Sequence, residues 1–307
     1  MSSHEISVVL PAYNEADNLK AVITELRPIL ARGFDRWQIL VVDDGSTDDT
    51  RRILSELQEE NPELAVITQR RNFGKSEALR VAFEAVDADL VALMDADGQD
   101  DPSELNKMLV SIEQGFDLVT GRRSIRNDRF VKRATSRFYN WCTAKVSGVD
   151  GRDFNSGFKL MRGEVVDDLD MYGEMHRYIP PLAEWAGYRS VEVDVNHRER
   201  LAGHSKFGRA RFWRGFFDLI TVKFLTTYDS RPFHLIGSAG VLCGLIGSML
   251  LVWMAIEKLQ GNGIGTRPAL TTGVLLVVVS VQLISVGLLA ELFVHHTRRQ
   301  KGGRGRR

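Results

Sequence analysis

The first hundred residues alternate short apolar runs with longer stretches of helical periodicity. Residues 6–10 form a brief, mostly β-branched run that stops at Pro11. Over residues 14–30, Leu19, Val22, Ile23, Leu26 and Ile29 recur at the three- and four-residue spacing of a helix with one buried face. The pattern then repeats. Residues 38–42 read as a second buried strand, closed by Asp43-Asp44-Gly45-Ser46, and Ser46 or Thr47 is placed to cap a helix through Ile53 and Leu57. Residues 64–68 and 90–94 predict a third and a fourth strand. Between them, 76–85 predicts a helix, and 102–114 predicts another opened by Pro102 in its first turn. This β-α-β-α rhythm predicts an α/β fold, a mostly parallel sheet covered by helices. Further strands are expected at 117–120, 158–161 and 190–195, in a more mixed order.

Near Gly208 the pattern changes. Residues 210–228 mix Phe212, Trp213, Phe216, Phe217, Leu219, Ile220, Phe224 and Leu225 with Arg211, Arg214, Asp218 and Lys223. Such a segment is either an amphipathic helix lying in a membrane interface or a core helix. Residues 233–256 carry no formal charge and are long enough to cross a hydrocarbon core of roughly 30 Å. Residues 269–289 make a second such run, in a span taken to about 291, and the short polar loop between them makes the pair a hairpin. The expected organisation is a soluble domain over 1–208, juxtamembrane interfacial helices over 209–232, a transmembrane hairpin over 233–294 and a basic tail over 295–307.

Charge around the hairpin sets an orientation. Arg209, Arg211, Arg214, Lys223 and Arg231 precede the first span, and six lysines and arginines follow the second, whereas the connecting loop has Lys258 and Arg267. The positive-inside rule puts the soluble domain and both termini in the cytoplasm. Glu291, near the end of the second span, either snorkels to the interface or meets a lipid headgroup. Composition otherwise decides little. Lysines plus arginines number 40 and aspartates plus glutamates 40, so net charge points to no particular partner, and no nucleic acid is expected. Cys142 and Cys243 lie far apart, which suggests neither a disulfide framework nor a zinc site. The amino terminus does not read as a signal peptide.

Candidate chemistry collects where the strands end. Open α/β sheets bind ligands at the carboxyl ends of their strands. Pro11-Ala12-Tyr13-Asn14-Glu15 follows the first strand, Asp43-Asp44-Gly45-Ser46 the second, Arg71-Asn72-Phe73-Gly74-Lys75 the third, and Asp95-Ala96-Asp97 the fourth. Asp95 and Asp97 are hard oxygen donors one residue apart, suited to Mg2+ or Mn2+ carrying a substrate phosphate. With an aromatic and further acids, the four segments together have the means to grip a nucleotide. Neither G-x-x-x-x-G-K-[ST] nor G-x-G-x-x-G after a strand occurs.

VVLPAYNEADNL, VVDDGSTDDT, RNFGK and MDADGQDDP together resemble the large inverting glycosyltransferase family with a GT-A fold. DFNSGFKLM, the HRERLAGHSKFG stretch and the two-span hairpin resemble, within it, the polyprenyl-phosphate glycosyltransferases, of dolichyl-phosphate mannose synthase type. The resemblance implies that Pro11, Tyr13 and Glu15 hold the nucleoside and that Asp44 lies near its base or ribose. It implies that Asp95, Ala96 and Asp97 bind the metal and the donor diphosphate, with Gln99 helping to order the ion. Arg123, beside Arg122, matches a phosphate-contacting arginine. Arg200 and Lys206 fall in R-x-x-G-x-S-K, one residue longer before Gly203 than the commonest spacing, so Arg198 is the alternative to Arg200. Arg200 and Ser156 are expected at the acceptor phosphate, and Arg209 and Arg211 are placed to attract an anionic headgroup.

Asp153 precedes Ser156-Gly157-Phe158-Lys159 by three positions, as in the family's D-x-x-S-G-F-[KR] segment. A lipid phosphate is already largely ionised near neutral pH, so the catalytic role implied for Asp153 is to accept a residual proton or to orient the acceptor; its plain alternative is a turn or cap. The expected protein is a membrane-anchored, metal-dependent glycosyltransferase that moves one sugar from a nucleotide sugar to polyprenyl phosphate with inversion. Its partners are membrane lipids and, through the hairpin, further copies of itself. Two other readings stand beside it: transfer to another lipid or a polysaccharide, and a non-catalytic scaffold that binds nucleotide sugars. The Q-x-x-R-W motif of processive synthases does not occur.

Overall fold

The computed structural model describes residues 2–123, 156–169, 175–198, 232–263, 265 and 267–304. The chain divides into two compact units, Met1–Val222 and Lys223–Arg307. In the first, β1 (Ser2–Ala12), α1 (Ala16–Gly33), β2 (Phe34–Asp43), α2 (Thr50–Glu60), β3 (Leu64–Thr68), α3 (Lys75–Ala85) and β4 (Leu90–Leu93) follow in order. A 3-10 turn at Pro102–Glu104 leads into α4 (Leu105–Glu113), then β5 (Leu118–Arg123), β6 (Lys159–Arg162), α5 (Gly163–Asp168), α6 (Ile179–Trp185) and β7 (Ser190–Val195). The seven strands form one sheet in the order β3-β2-β1-β4-β6-β5-β7.

Strands β1 to β4 pair in parallel, as the alternation with helices predicts. β6 runs antiparallel to both β4 and β5, and β7 is parallel to β5. Side chains of a strand alternate between faces, and both faces of this sheet are covered. Ile6, Val8 and Leu10 of β1 with Ile39 and Val41 of β2 pack under α1, α2 and α4, joining Leu19, Leu26, Leu54, Met108 and Ile112. Val9, Leu40, Val42, Val91 and Leu93 face the other way, against Leu79 and Phe83 of α3 and Ile179 of α6. Each fully buried leucine or isoleucine contributes roughly 2 kcal/mol of hydrophobic burial.

β1 and β2 are longer than their apolar runs. Ser2 pairs with Phe34 and Glu5 with Arg36, outside the buried centre, where main-chain pairing needs no apolar signal. The expected cap of α2 is also corrected. The helix begins at Thr50 after Asp49, with no side-chain cap bond. Ser46 and Thr47 are engaged elsewhere: Ser46 Oγ accepts from the Asn14 amide at 2.9 Å, and the Thr47 amide donates to Asn14 Oδ1 at 2.8 Å.

The second unit is a helical hairpin of α7 (Pro232–Leu259) and α8 (Pro268–Arg304). Phe233–Leu259 and Pro268–Val294 are each 27 residues long, with mean hydropathy 2.2 and 2.5. Only 17% of the most apolar window of each is buried, so these are not core helices of a soluble domain. Leu242, Met249, Val281 and Leu289 instead present apolar surface outward, as lipid-facing side chains do. The two helices approach through small residues, because a Cβ on Gly244 would lie 2.6 Å from Ser280 Oγ and one on Gly247 would lie 2.9 Å from the Gly273 carbonyl oxygen. The Glu291 carboxylate accepts the Phe233 amide at 3.2 Å, which satisfies one of the free N–H groups at the start of α7. At the other end Arg267 bonds Glu257 at 2.6 Å across the loop.

Candidate active site

The pairing directions bring the carboxyl ends of β1, β2, β3, β4, β5 and β7, and the amino end of β6, to one edge of the sheet. Pro11 lies in the last turn of β1's ladder, opposite Val42, with Tyr13 and Glu15 just beyond it and half-buried. Asn14 takes a left-handed φ of 57°, which asparagine tolerates, and this turn lets it bond both Ser46 and Thr47. The Glu15 amide donates to Thr50 Oγ1 at 3.0 Å, and the Glu15 carboxylate accepts from Asn18 at 2.7 Å. The loop after β1 is thereby fastened to the loop after β2.

Asp44 fastens the next pair. It is 4% exposed, its amide donates to Ala12 O at 2.8 Å, and its two carboxylate oxygens accept the amides of Phe73 at 2.8 Å and Gly74 at 2.9 Å. Burial pushes the Asp44 carboxyl above its ordinary range, against the pull of those two amides, and the neighbouring charges of Asp43 and Glu77 add to the rise. Gly45 adopts φ +68°, and a Cβ there would lie 2.3 Å from the carbonyl carbon of Arg71. Only glycine lets the 71–75 loop pass this close.

At the end of β4, Asp95 is exposed enough to meet a ligand, Ala96 is buried in the core, and Asp97 is 6% exposed. The loop is tied internally. Asp97 Oδ1 accepts the Gln99 amide at 3.1 Å, and Asp100 Oδ2 accepts the Asp95 amide at 3.2 Å. The Gln99 side-chain amide donates to Arg198 O at 3.3 Å, joining this loop to the segment after β7. Lys75, the first residue of α3, donates from Nζ to Asp95 Oδ1. Gly157 closes in from β6's amino end, where a Cβ would lie 2.6 Å from Asp95 Oδ2. Ser156, beside it, is buried, and its carbonyl accepts from the buried Lys159 ammonium.

This donor set fits a divalent cation. Asp95 and Asp97 offer hard carboxylate oxygens, the Asp95 carboxylate already binds a cation in the form of Lys75, and glycine at 157 keeps the space beside it clear. Among the described residues no three histidines, cysteines or acids converge as a protein-only cage. A site of this kind suits an ion that shares its coordination with substrate phosphate and water.

Two arginines left as alternatives by the sequence are committed elsewhere. Arg122 forks onto Asp194 of β7, at 2.6 and 2.8 Å, whereas Arg123 ends β5 opposite Val195. Arg198 bonds Glu25 at 2.7 Å and Asp101 at 2.9 Å. Asp153, Arg200, Lys206, Arg209 and Arg211 lie outside the described residues. Sequence reasoning gave no role to Lys75 or Gly157, although RNFGK and the S-G-F-K segment contain them; only their approach to Asp95 reveals one.

Residues 7–170 match the family model of glycosyl transferase family 2. Dodecaprenyl-phosphate galacturonate synthase of Rhizobium johnstonii is 34% identical over 95% of this chain and 88% of its own. The undecaprenyl-phosphate 4-deoxy-4-formamido-L-arabinose transferase of Proteus mirabilis is 29% identical over 94% of this chain and 88% of its own. Among solved structures, mannosyl-3-phosphoglycerate synthase of Rubrobacter xylanophilus aligns with a TM-score of 0.56 at 22% identity, over 71% of this chain and 73% of that one. Glucosyl-3-phosphoglycerate synthase of Mycobacterium tuberculosis, in complex with Mn2+, UDP and glucosyl-3-phosphoglycerate, aligns with a TM-score of 0.56 at 22% identity, over 73% and 80%. These two share the GT-A type of fold.

Proposed function

The chain belongs to glycosyl transferase family 2, and on that premise we propose that it transfers a single sugar from a nucleotide sugar to polyprenyl phosphate, with inversion, at the cytoplasmic membrane face. One observation carries the choice of acceptor. The polyprenyl-phosphate relatives match about the whole chain, 95% in the galacturonate synthase, and so extend through the membrane hairpin. The phosphoglycerate synthases match 71–73% and share the fold alone. The basic flanks of the hairpin support the cytoplasmic orientation.

In this reading Pro11, Tyr13, Glu15 and Asp44 form the nucleoside end of the site, and Asp95 and Asp97, ordered by Gln99, the diphosphate end. A divalent ion, Mg2+ or Mn2+, bound there would neutralise charge growing on the departing nucleoside diphosphate. Arg123 and Lys206 supply further positive charge to the donor phosphates; with Arg122 held by Asp194 and Arg198 by two carboxylates, Arg123 and Arg200 are the arginines assigned to phosphate. Asp153, three residues before Ser156, orients the acceptor phosphate or takes its residual proton. A lipid phosphate oxygen is the nucleophile, so no protein nucleophile is required. Arg200, Ser156, Arg209 and Arg211 attract and place the lipid's anionic head.

The test is direct. Full-length protein incubated with UDP- or GDP-sugars, Mg2+ or Mn2+ and polyprenyl phosphate should release nucleoside diphosphate and form a polyprenyl-phosphate sugar. Donor binding without release, across the common donors, would favour the scaffold reading instead.

A further inference from the structure

Lys75 begins α3 directly after Gly74, which has φ +98°. Asp44 pins the amides of Phe73 and Gly74, so the end of β2 fixes where α3 starts. From that fixed start the Lys75 ammonium spans to the end of β4 and donates to Asp95 Oδ1. The two side chains are 32% and 41% exposed, open enough for either to exchange partners. Asp95 otherwise stands in an acidic stretch, with Asp97 and Asp100 close in the chain and Asp100 Oδ2 on its own amide. The Lys75 ammonium brings a positive charge into that stretch.

An ammonium and a divalent ion on the same carboxylate repel each other and compete for the same oxygen lone pairs. Resting on the assignment of the ion to Asp95 and Asp97, we propose that Lys75 is a resident counter-cation of the metal site. It neutralises Asp95 until the divalent ion arrives, and the ion binds by displacing it. The affinity for metal is then set below that of the bare carboxylate pair, and metal binding is coupled to movement of the Lys75 side chain away from β4.

The probe is Mn2+ alone, titrated into full-length protein in detergent micelles without nucleotide and followed by the electron paramagnetic resonance of the free ion. Lys75→Met should bind Mn2+ about fivefold more tightly than the wild type, the size expected for removing one half-exposed competing charge. Lys75→Arg, which keeps the cation, should stay near the wild type. Equal or weaker binding by a folded Lys75→Met overturns the proposal. A second measurement needs no variant. Acetylation of the wild type, read by mass spectrometry, should modify Lys75 several-fold faster with Mn2+ present while Lys107 stays constant; an unchanged Lys75 rate also overturns it. Asp95→Asn separates the two assignments. If it leaves Mn2+ binding intact, the metal assignment fails and the proposal with it; if it abolishes binding while Lys75→Met changes nothing, the counter-cation role alone fails.

Discussion

β2 and β4 both run out of the core into paired acids, yet their ends behave in opposite ways. At β2, Asp43 is fully buried and accepts the Ser46 amide at 2.9 Å, and Asp44 spends both oxygens on the amides of Phe73 and Gly74. At β4, Asp95 keeps 41% of its side chain exposed and meets the movable end of a lysine. A carboxylate that accepts a backbone amide on each oxygen is a structural tie. One whose partner is a long, half-exposed side chain can change partner when a ligand comes. The first end ties the loops together beside the proposed nucleoside end, and the second carries the carboxylates proposed to hold the ion.

The contrast is broken most severely at β4. Asp95→Ala should lower nucleoside diphosphate release about 100- to 1,000-fold, the scale of losing one group that stabilises charge in the transition state. Its melting temperature should change little. Asp44→Ala should lower activity too, since Asp44 belongs to the proposed nucleoside end, but unlike Asp95→Ala it should also cost stability. It leaves two part-buried amides without their acceptor, at a cost of about 1–2 kcal/mol in stability, read as a lowered melting temperature. If Asp44→Ala melted like the wild type, the framing role assigned to the β2 end would be wrong.

The glycines next to these acids sharpen the same contrast at lower amplitude. An alanine Cβ at 157 first meets the Asp95 carboxylate, at 2.6 Å, and a side chain can turn aside. Gly157→Ala should therefore weaken Mn2+ binding roughly tenfold, a change of about 1.4 kcal/mol, while leaving thermal unfolding nearly unchanged. Mn2+ titration against a melting curve checks both halves. Unaltered Mn2+ affinity would place the ion away from Asp95.

Apolar periodicity was enough to locate the seven strands of the described residues, because each crosses the core and its centre must be apolar. Their outer ends were not legible. Glu5, Asp35 and Arg36 belong to β1 and β2 only because main-chain pairing continues past the buried centre. The four strand-end segments were legible as a set, since topology alone gathers them to one edge. The division of labour among their acids was not. Asp43-Asp44 and Asp95-Ala96-Asp97 look alike as sequence, and the difference lies in partners 20 to 30 residues away, Phe73 and Gly74 for one and Lys75 for the other. The pairing of Arg122 with Asp194, a residue of another strand, was likewise not legible. Ser46 and Thr47 were misread as caps because Asn14, more than 30 residues upstream, competes for them.

The smallest effect is expected where the β4 loop meets the segment after β7. Arg198 joins Asp101 and Glu25; Arg198 and Glu25 are half-exposed, whereas Asp101 is 13% exposed. Burial alone would raise the Asp101 carboxyl, but hydrogen bonds from Ser103 and the Arg198 guanidinium outweigh it and hold the group below its ordinary range. A carboxyl depressed in the folded state adds stability above its unfolded value of about 4. That contribution is lost as pH falls through the lower folded value. Arg198→Gln should thus cost no more than about 1 kcal/mol at pH 7, given the exposure of the arginine. The difference from the wild type should shrink toward zero as Asp101 takes up its proton below about pH 4. Melting curves at both pH values test this: a deficit that persists in acid would mean that Arg198 acts through packing rather than charge.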